Sequence, residues 1–93
     1  MSSETVQNQI KKVIELVLEK KRQYDHKFLD TLLKRLRDTN KALNNEKSLE
    51  VIKKNNTING ALRAYFDTSL VKSYQEPLVI ELDKLEVMLK ENV

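Results

Sequence analysis

The sequence predicts an all-α chain, an antiparallel up-down-up-down four-helix bundle spanning residues 1–93. Three observations predict it. One glycine and one proline in 93 residues leave too few turn formers for a β-rich fold. Apolar residues recur at spacings of three and four in four successive segments. Leu, Lys and Glu dominate, which suits helices, and the many Asn suit caps and turns. A chain this short makes one domain, and each helix must contribute a face to a small core.

The first segment runs from about Glu4 to Lys21, with Val6, Ile10, Val13, Ile14 and Val17 along one stripe. Ser2 or Ser3 can cap it. Lys20, Lys21 and Arg22 close it, where cations meet the negative helix end. The second segment opens at Asp25, a good N-cap, and buries Leu29, Leu32, Leu33, Leu36 and Leu43. At about 100° per residue, Lys27, Lys34, Arg37 and Lys41 share the opposite arc, with Asp30 and Asp38 in or beside it. Asp30 and Lys34 form a favourable i,i+4 pair. Asn44 and Asn45 end the helix.

The third segment carries the one glycine. Leu49, Ile52, Ile58, Leu62, Tyr65, Phe66 and Leu70 keep a helical phase across polar "KKNNT". The preserved phase favours one long helix, roughly residues 47–71, weakened near Gly60. A break recapped by Asn56 or Thr57 is the alternative. Gly60 costs about 1 kcal/mol against Ala inside a helix, so its expected role is close packing first, a hinge second and a loop site third. Tyr65 and Phe66 fall on the apolar side and are assigned to the core. Arg63 lies on the other flank.

The fourth segment begins near "SYQE", a capping-box pattern at Ser73, or at Gln75 or Glu76 with Pro77 early. Leu78, Leu82, Leu85 and Leu89 follow at helical spacing. Val79, Ile80, Val87 and Met88 widen the apolar surface into a candidate partner face.

Charge is uneven. Residues 1–72 carry fifteen Lys/Arg and nine Asp/Glu, a net +6, while residues 73–93 carry a net −3. Internal pairing of an acidic last helix with a basic one accounts for this. A basic surface turned to an acidic partner or an anionic membrane face is the sharper reading.

Catalytic constellations are not expected. Cysteine is absent, so disulfides and thiolate sites are excluded. The single histidine, His26, reads as a surface residue. Carboxylate pairs such as Glu15/Glu19 and Glu81/Asp83 are ordinary helix charges, and no Glu-x-x-His or glycine-rich phosphate loop occurs. The expectation is a non-enzyme without cofactor, metal or small-molecule substrate. A helix-turn-helix in "SLEVIKKNNTINGALRAYF" matches two of four expected positions, and the unbroken phase weighs against it, so no nucleic-acid partner is expected. No apolar run approaches the ~20 residues of a membrane span. Lys11, Lys12 and Glu15 interrupt any signal-peptide core, which places the chain in the cytoplasm.

"KFLDTLLKRLRDTNKALNN", "TINGALRAYFDTSL" and "YQEPLVIEL" resemble the second, third and fourth helices of the immunity proteins of pediocin-like bacteriocins, of the enterocin A immunity type. Ile58, Asn59, Leu62 and Tyr65 carry the match in the third helix. Tyr74, Gln75, Glu76, Leu78, Val79 and Leu82 carry it in the fourth. The resemblance covers residues 25–90. It implies a cytosolic four-helix bundle, peripheral at the inner membrane face, that acts on a mannose-phosphotransferase-type permease engaged by the bacteriocin. It places specificity in the C-terminal half, in helices three and four and the loop from Thr68 to Glu76. Family members often carry a recognition tail past the fourth helix; here the sequence ends at Val93, which is expected to limit toxin specificity. Candidate partner-binding residues are Arg63, Asp67, Lys72, Tyr74 and Gln75 in that half, with Lys34, Arg37 and Lys41 on the basic arc. The alternative function is a small helical adaptor or regulator that binds a partner through helices three and four.

Overall fold

The computed structural model describes residues 3–45, 49–54 and 56–90. Five helices make up the described chain: α1 (Ser3–Gln23), α2 (Lys27–Asn44), α3 (Leu49–Lys54), α4 (Ala61–Phe66) and α5 (Pro77–Lys90). No strand occurs among the described residues. The longest dimension is 35 Å. A helix of the length of α1 spans ~30 Å, so α1 runs nearly end to end.

Helix α1 packs on α2 and on α5, α5 packs on α4 and α3, and α2 also touches α3 and α4. The core follows from the stripes. Val6, Ile10, Val13 and Val17 of α1 are fully buried, as are Leu29 and Leu36 of α2 and Leu82 and Leu85 of α5. Each such side chain contributes about 1.5–3 kcal/mol on leaving water. The expected caps of α1, at Ser2 or the Ser3 side chain, lie outside the described residues.

His26, not Asp25, caps α2. Its Nδ1 accepts a hydrogen bond from Phe28 N at 3.0 Å, and its backbone is extended at φ −138°. Asp25 is exposed one residue too early. Asp30 pairs with Lys21 of α1 at 2.5 Å rather than with Lys34 on its own helix.

The long third helix expected over residues 47–71 is two short helices, with residues 46–48 and 55 outside the described residues. Local hydrogen bonds explain the break. Asn56 Oδ1 accepts from Ile58 N at 2.9 Å, and Ala61 N donates to Ile58 O at 3.0 Å. Asn side chains close such turns in competition with the helical ladder. Gly60 then adopts φ 83°, a left-handed conformation that no continuing α-helix contains. A Cβ at Gly60 would meet nothing within 4 Å, so close packing is not its role. The apolar phase survives because Ile52 and Tyr65, on either side of the break, and Ile58 within it all turn into the core. After Phe66 the Thr68 hydroxyl donates to Tyr65 O at 2.6 Å and accepts from Leu70 N at 3.2 Å, which ends α4 well before residue 71.

Helix α5 starts late, with Pro77 as its first residue, where a missing N–H costs nothing. Ser73 Oγ accepts from Gln75 N at 3.0 Å and Ser73 O accepts from Glu76 N at 3.2 Å. The reciprocal capping box does not form, because the Glu76 side chain turns elsewhere. Of the acidic excess in the last helix, Glu81 pairs with Lys12 of α1 at 3.4 Å. Gln9, 7 % exposed, donates to Glu81 O at 2.9 Å and to Glu81 Oε1 at 3.1 Å. That Gln9 bond above all, then the nearby Lys12 charge, holds the Glu81 carboxyl below its ordinary pKa against an opposing effect of burial.

Candidate functional site

The chain gathers its five aromatic side chains, with Lys20, Lys72 and Glu76, at the end where the α1–α2 connection meets the α4–α5 loop. Tyr24 follows α1, and its ring lies 5.2 Å from Lys20 Nζ and 5.1 Å from Lys72 Nζ. These cation–π contacts tie the two loops together. Phe28, in the first turn of α2, stacks on Tyr65 of α4 with ring centroids 5.7 Å apart and 11° between planes.

Glu76 is the hub beneath these rings. Its Oε1 accepts from the Tyr65 hydroxyl, and its Oε2 accepts from Lys20 Nζ at 3.3 Å and from Lys72 N at 3.4 Å. The Lys20 and Glu76 side chains are only 11 % and 12 % exposed. An ion pair this deep has a large desolvation cost, and extra hydrogen bonds to the carboxylate offset it. Burial, and then the bond to the Glu76 carboxylate, push the Tyr65 phenol far above its ordinary pKa of 10.0. Tyr65 stays a neutral donor.

Above this buried layer sits an exposed aromatic pair. Phe66 and Tyr74 meet edge to face, with centroids 5.3 Å apart and planes at 63°. Phe66 is 38 % exposed and Tyr74 78 %. Phe66 is therefore not a core residue. Adjacent helix positions point about 100° apart, and Tyr65 takes the inward one. Arg63, Asp67, Lys72 and Gln75 are exposed on the same short stretch of chain. Asp67 caps α4 through its backbone N–H to Arg63 O at 3.1 Å, and Gln75 N is held by Ser73.

Lys34, Arg37 and Lys41 are exposed along α2, as the arc predicts. Lys41 does not join the aromatic end, because it lies thirteen residues beyond Phe28, ~20 Å along the helix axis. On α5, Ile80 and Val87 are exposed at 49 % and 51 %, but Val79 is buried and Met88 only partly exposed. The expected four-residue partner face on α5 is therefore two residues seven positions apart.

A second buried carboxylate stands at the other end of α4. Glu86 of α5 is 6 % exposed; its Oε2 accepts from Leu62 N at 3.4 Å. Its Oε1 has no hydrogen-bond partner among the described residues. Helix α4 has no side-chain cap of its own at Gly60, so Glu86 supplies one from a different helix. The sequence pattern misses the role of both carboxylates: Glu76 reads as half of a capping box, and Glu86 is not singled out at all. A capping-box Glu followed at once by proline was the available signal for Glu76, because that register cannot hold a full first turn.

His26 is committed to its cap. Among the described residues no three His, Cys, Asp or Glu side chains cluster to hold a metal, and no described helix is long and apolar enough to cross a membrane.

A family model described as "YeeD uncharacterised protein" matches residues 2–92. The chain belongs to the YeeD family. No curated protein and no solved structure gives a significant match.

Proposed function

We propose that the protein is a non-catalytic, cytoplasmic binding module that engages a partner protein through the aromatic end built by α4 and the α4–α5 loop. The exposed Phe66–Tyr74 pair carries this reading. Tyr and Arg are frequent interface anchors, Tyr because it brings a large area with few torsions to freeze and Arg because its planar guanidinium stacks and donates several hydrogen bonds. Here Tyr74 is far more exposed than any other large apolar residue described, and its ring packs on Phe66, itself exposed, rather than into the core. In this reading the five helices form an up-down-up-down bundle in which α3 and α4 together take the third rod's place.

The resemblance to pediocin-like bacteriocin immunity proteins gives the module a specific form. It would act at the inner membrane face on a toxin-engaged permease, with Arg63, Phe66, Lys72, Tyr74 and Gln75 at the contact. The aromatic end lies in the half of the chain where that family keeps its specificity. The adaptor reading takes its partner through the same half of the chain, with Ile80 and Val87, the exposed part of its expected α5 surface, in the contact.

The test uses a bacteriocin-sensitive strain expressing the chain or its Phe66→Ala/Tyr74→Ala variant, challenged with a panel of pediocin-like peptides. Resistance to one peptide, lost in the variant at equal protein level, supports the immunity form. Unchanged killing across the panel removes that form and leaves the adaptor.

A further inference from the structure

We propose that residues 60–76 form a hinged flap that opens as a unit while α1, α2 and α5 stay folded, with the hinge at Gly60 and the catch at Glu76. The inference rests on the binding reading only for what the flap carries.

The hinge is open sterically. Gly60 is exposed at φ 83°, and no atom lies within 4 Å of where a Cβ would stand. The flap has little structure of its own. Helix α4 is six residues long, too short to hold its shape alone. Residues 67–76 contain only turn bonds. Three side chains of the segment, Ala61, Tyr65 and Leu70, are buried.

The flap is held to the body by Tyr65, Leu70 and Ala61 in the core, by the Tyr65–Phe28 stack, by the Lys72–Tyr24 contact and by the Lys20–Glu76 ion pair. Within the flap Glu76 also takes the Tyr65 hydroxyl and the Lys72 amide, so one carboxylate couples the attachment on α1 to α4 and to the loop. The other end is held by a long bond, 3.4 Å from Leu62 N to Glu86 Oε2. That second attachment also stores a cost. Glu86 Oε1 is buried without a partner among the described residues in the closed state, and opening would hydrate it. A closed state with an unmet buried acceptor lies nearer in free energy to its open state than a fully satisfied one.

Arg63, Phe66, Asp67, Lys72, Tyr74 and Gln75 all lie within the flap. Closure therefore presents the whole aromatic face at once, on a segment whose own helix is a single short one. Partner binding is then coupled to ordering of residues 60–76.

Hydrogen exchange read by mass spectrometry on the full chain tests the flap without any partner, so its failure leaves the binding reading standing. Amides of 61–76 should exchange at least about tenfold faster than the buried-face amides of α1, α2 and α5. Glu76→Gln should speed exchange in 61–76 by a further factor of about ten and leave the others unchanged. Trypsin should then cut faster after Arg63 and Lys72. Lys20→Met weakens the same catch from α1 and should act likewise if Glu76→Gln folds poorly. Tyr74→Ala, outside the catch, should change neither rate. Protection of 61–76 equal to that of α1, or an acceleration spread evenly over all the helices in both catch variants, would overturn the proposal.

Discussion

Replacing Gly60 with alanine has opposite consequences in two accounts of the third segment. Inside a continuous helix, alanine would stabilise by about 1 kcal/mol, since glycine is the poorer helix former by that amount. At φ 83° the same alanine must enter the left-handed region, at about 1–2 kcal/mol. No clash adds to this, because nothing lies within 4 Å of the new Cβ. The smaller freedom of alanine in the unfolded chain offsets part of the strain, by about 0.4–1 kcal/mol. The net expectation is a loss of about 1 kcal/mol, so the two accounts differ by about 2 kcal/mol and in sign. Urea unfolding followed by far-ultraviolet circular dichroism measures it, with an unchanged slope. The melting temperature should fall by roughly 4–8 °C for a domain this size. Gly60→Asn, which tolerates the left-handed region, should lose clearly less. A Gly60→Ala variant more stable than wild type would refute the broken third segment.

Three more perturbations probe the connections around that segment. Tyr65→Phe removes the hydroxyl that donates to Glu76 and should cost about 2 kcal/mol in the same unfolding experiment, as expected for a bond to a charged acceptor. His26→Ala removes the α2 cap and should cost about 1 kcal/mol, with His26→Asn recovering most of it. The Glu81 carboxyl is held below the ordinary glutamate value of 4.5, so its contribution is present above that value and is lost as pH falls through the lower value of the folded state. Gln9→Leu deletes the main cause, and stability measured against pH should then slope less steeply on the acid side.

Much of the fold is legible in the residue pattern, and the misses share one origin. The stripes Val6–Val17, Leu29–Leu43 and Leu78–Leu89 name three helices because burial repeats every three or four residues. The third segment misleads by the same rule. Ile52, Ile58 and Tyr65 report which way side chains face, and that direction is preserved whether or not the backbone between them stays helical. The break is decided by Asn56 and Gly60, and the early end of α4 by Thr68, through single local hydrogen bonds and one φ angle. Those bonds are common in sequence and specific only in place. The candidate end was legible in part. Arg63, Lys72, Tyr74 and Gln75 are exposed there as the sequence suggests, while Phe66 was hidden by its neighbour Tyr65. The organising role of Glu76 was not legible, because its three partners come from α1, α4 and its own loop, at separations of 56, 11 and 4 residues.

The claim that the α4–α5 end is a binding face can be met directly by a photo-crosslinking residue placed at position 74 in cells that make the protein, with the same residue at Lys41 on the α2 face as a control. A discrete adduct from position 74 that is absent from position 41, and that disappears on Phe66→Ala, is the predicted result. Equal labelling from both positions, or an adduct from position 41 alone, would contradict it.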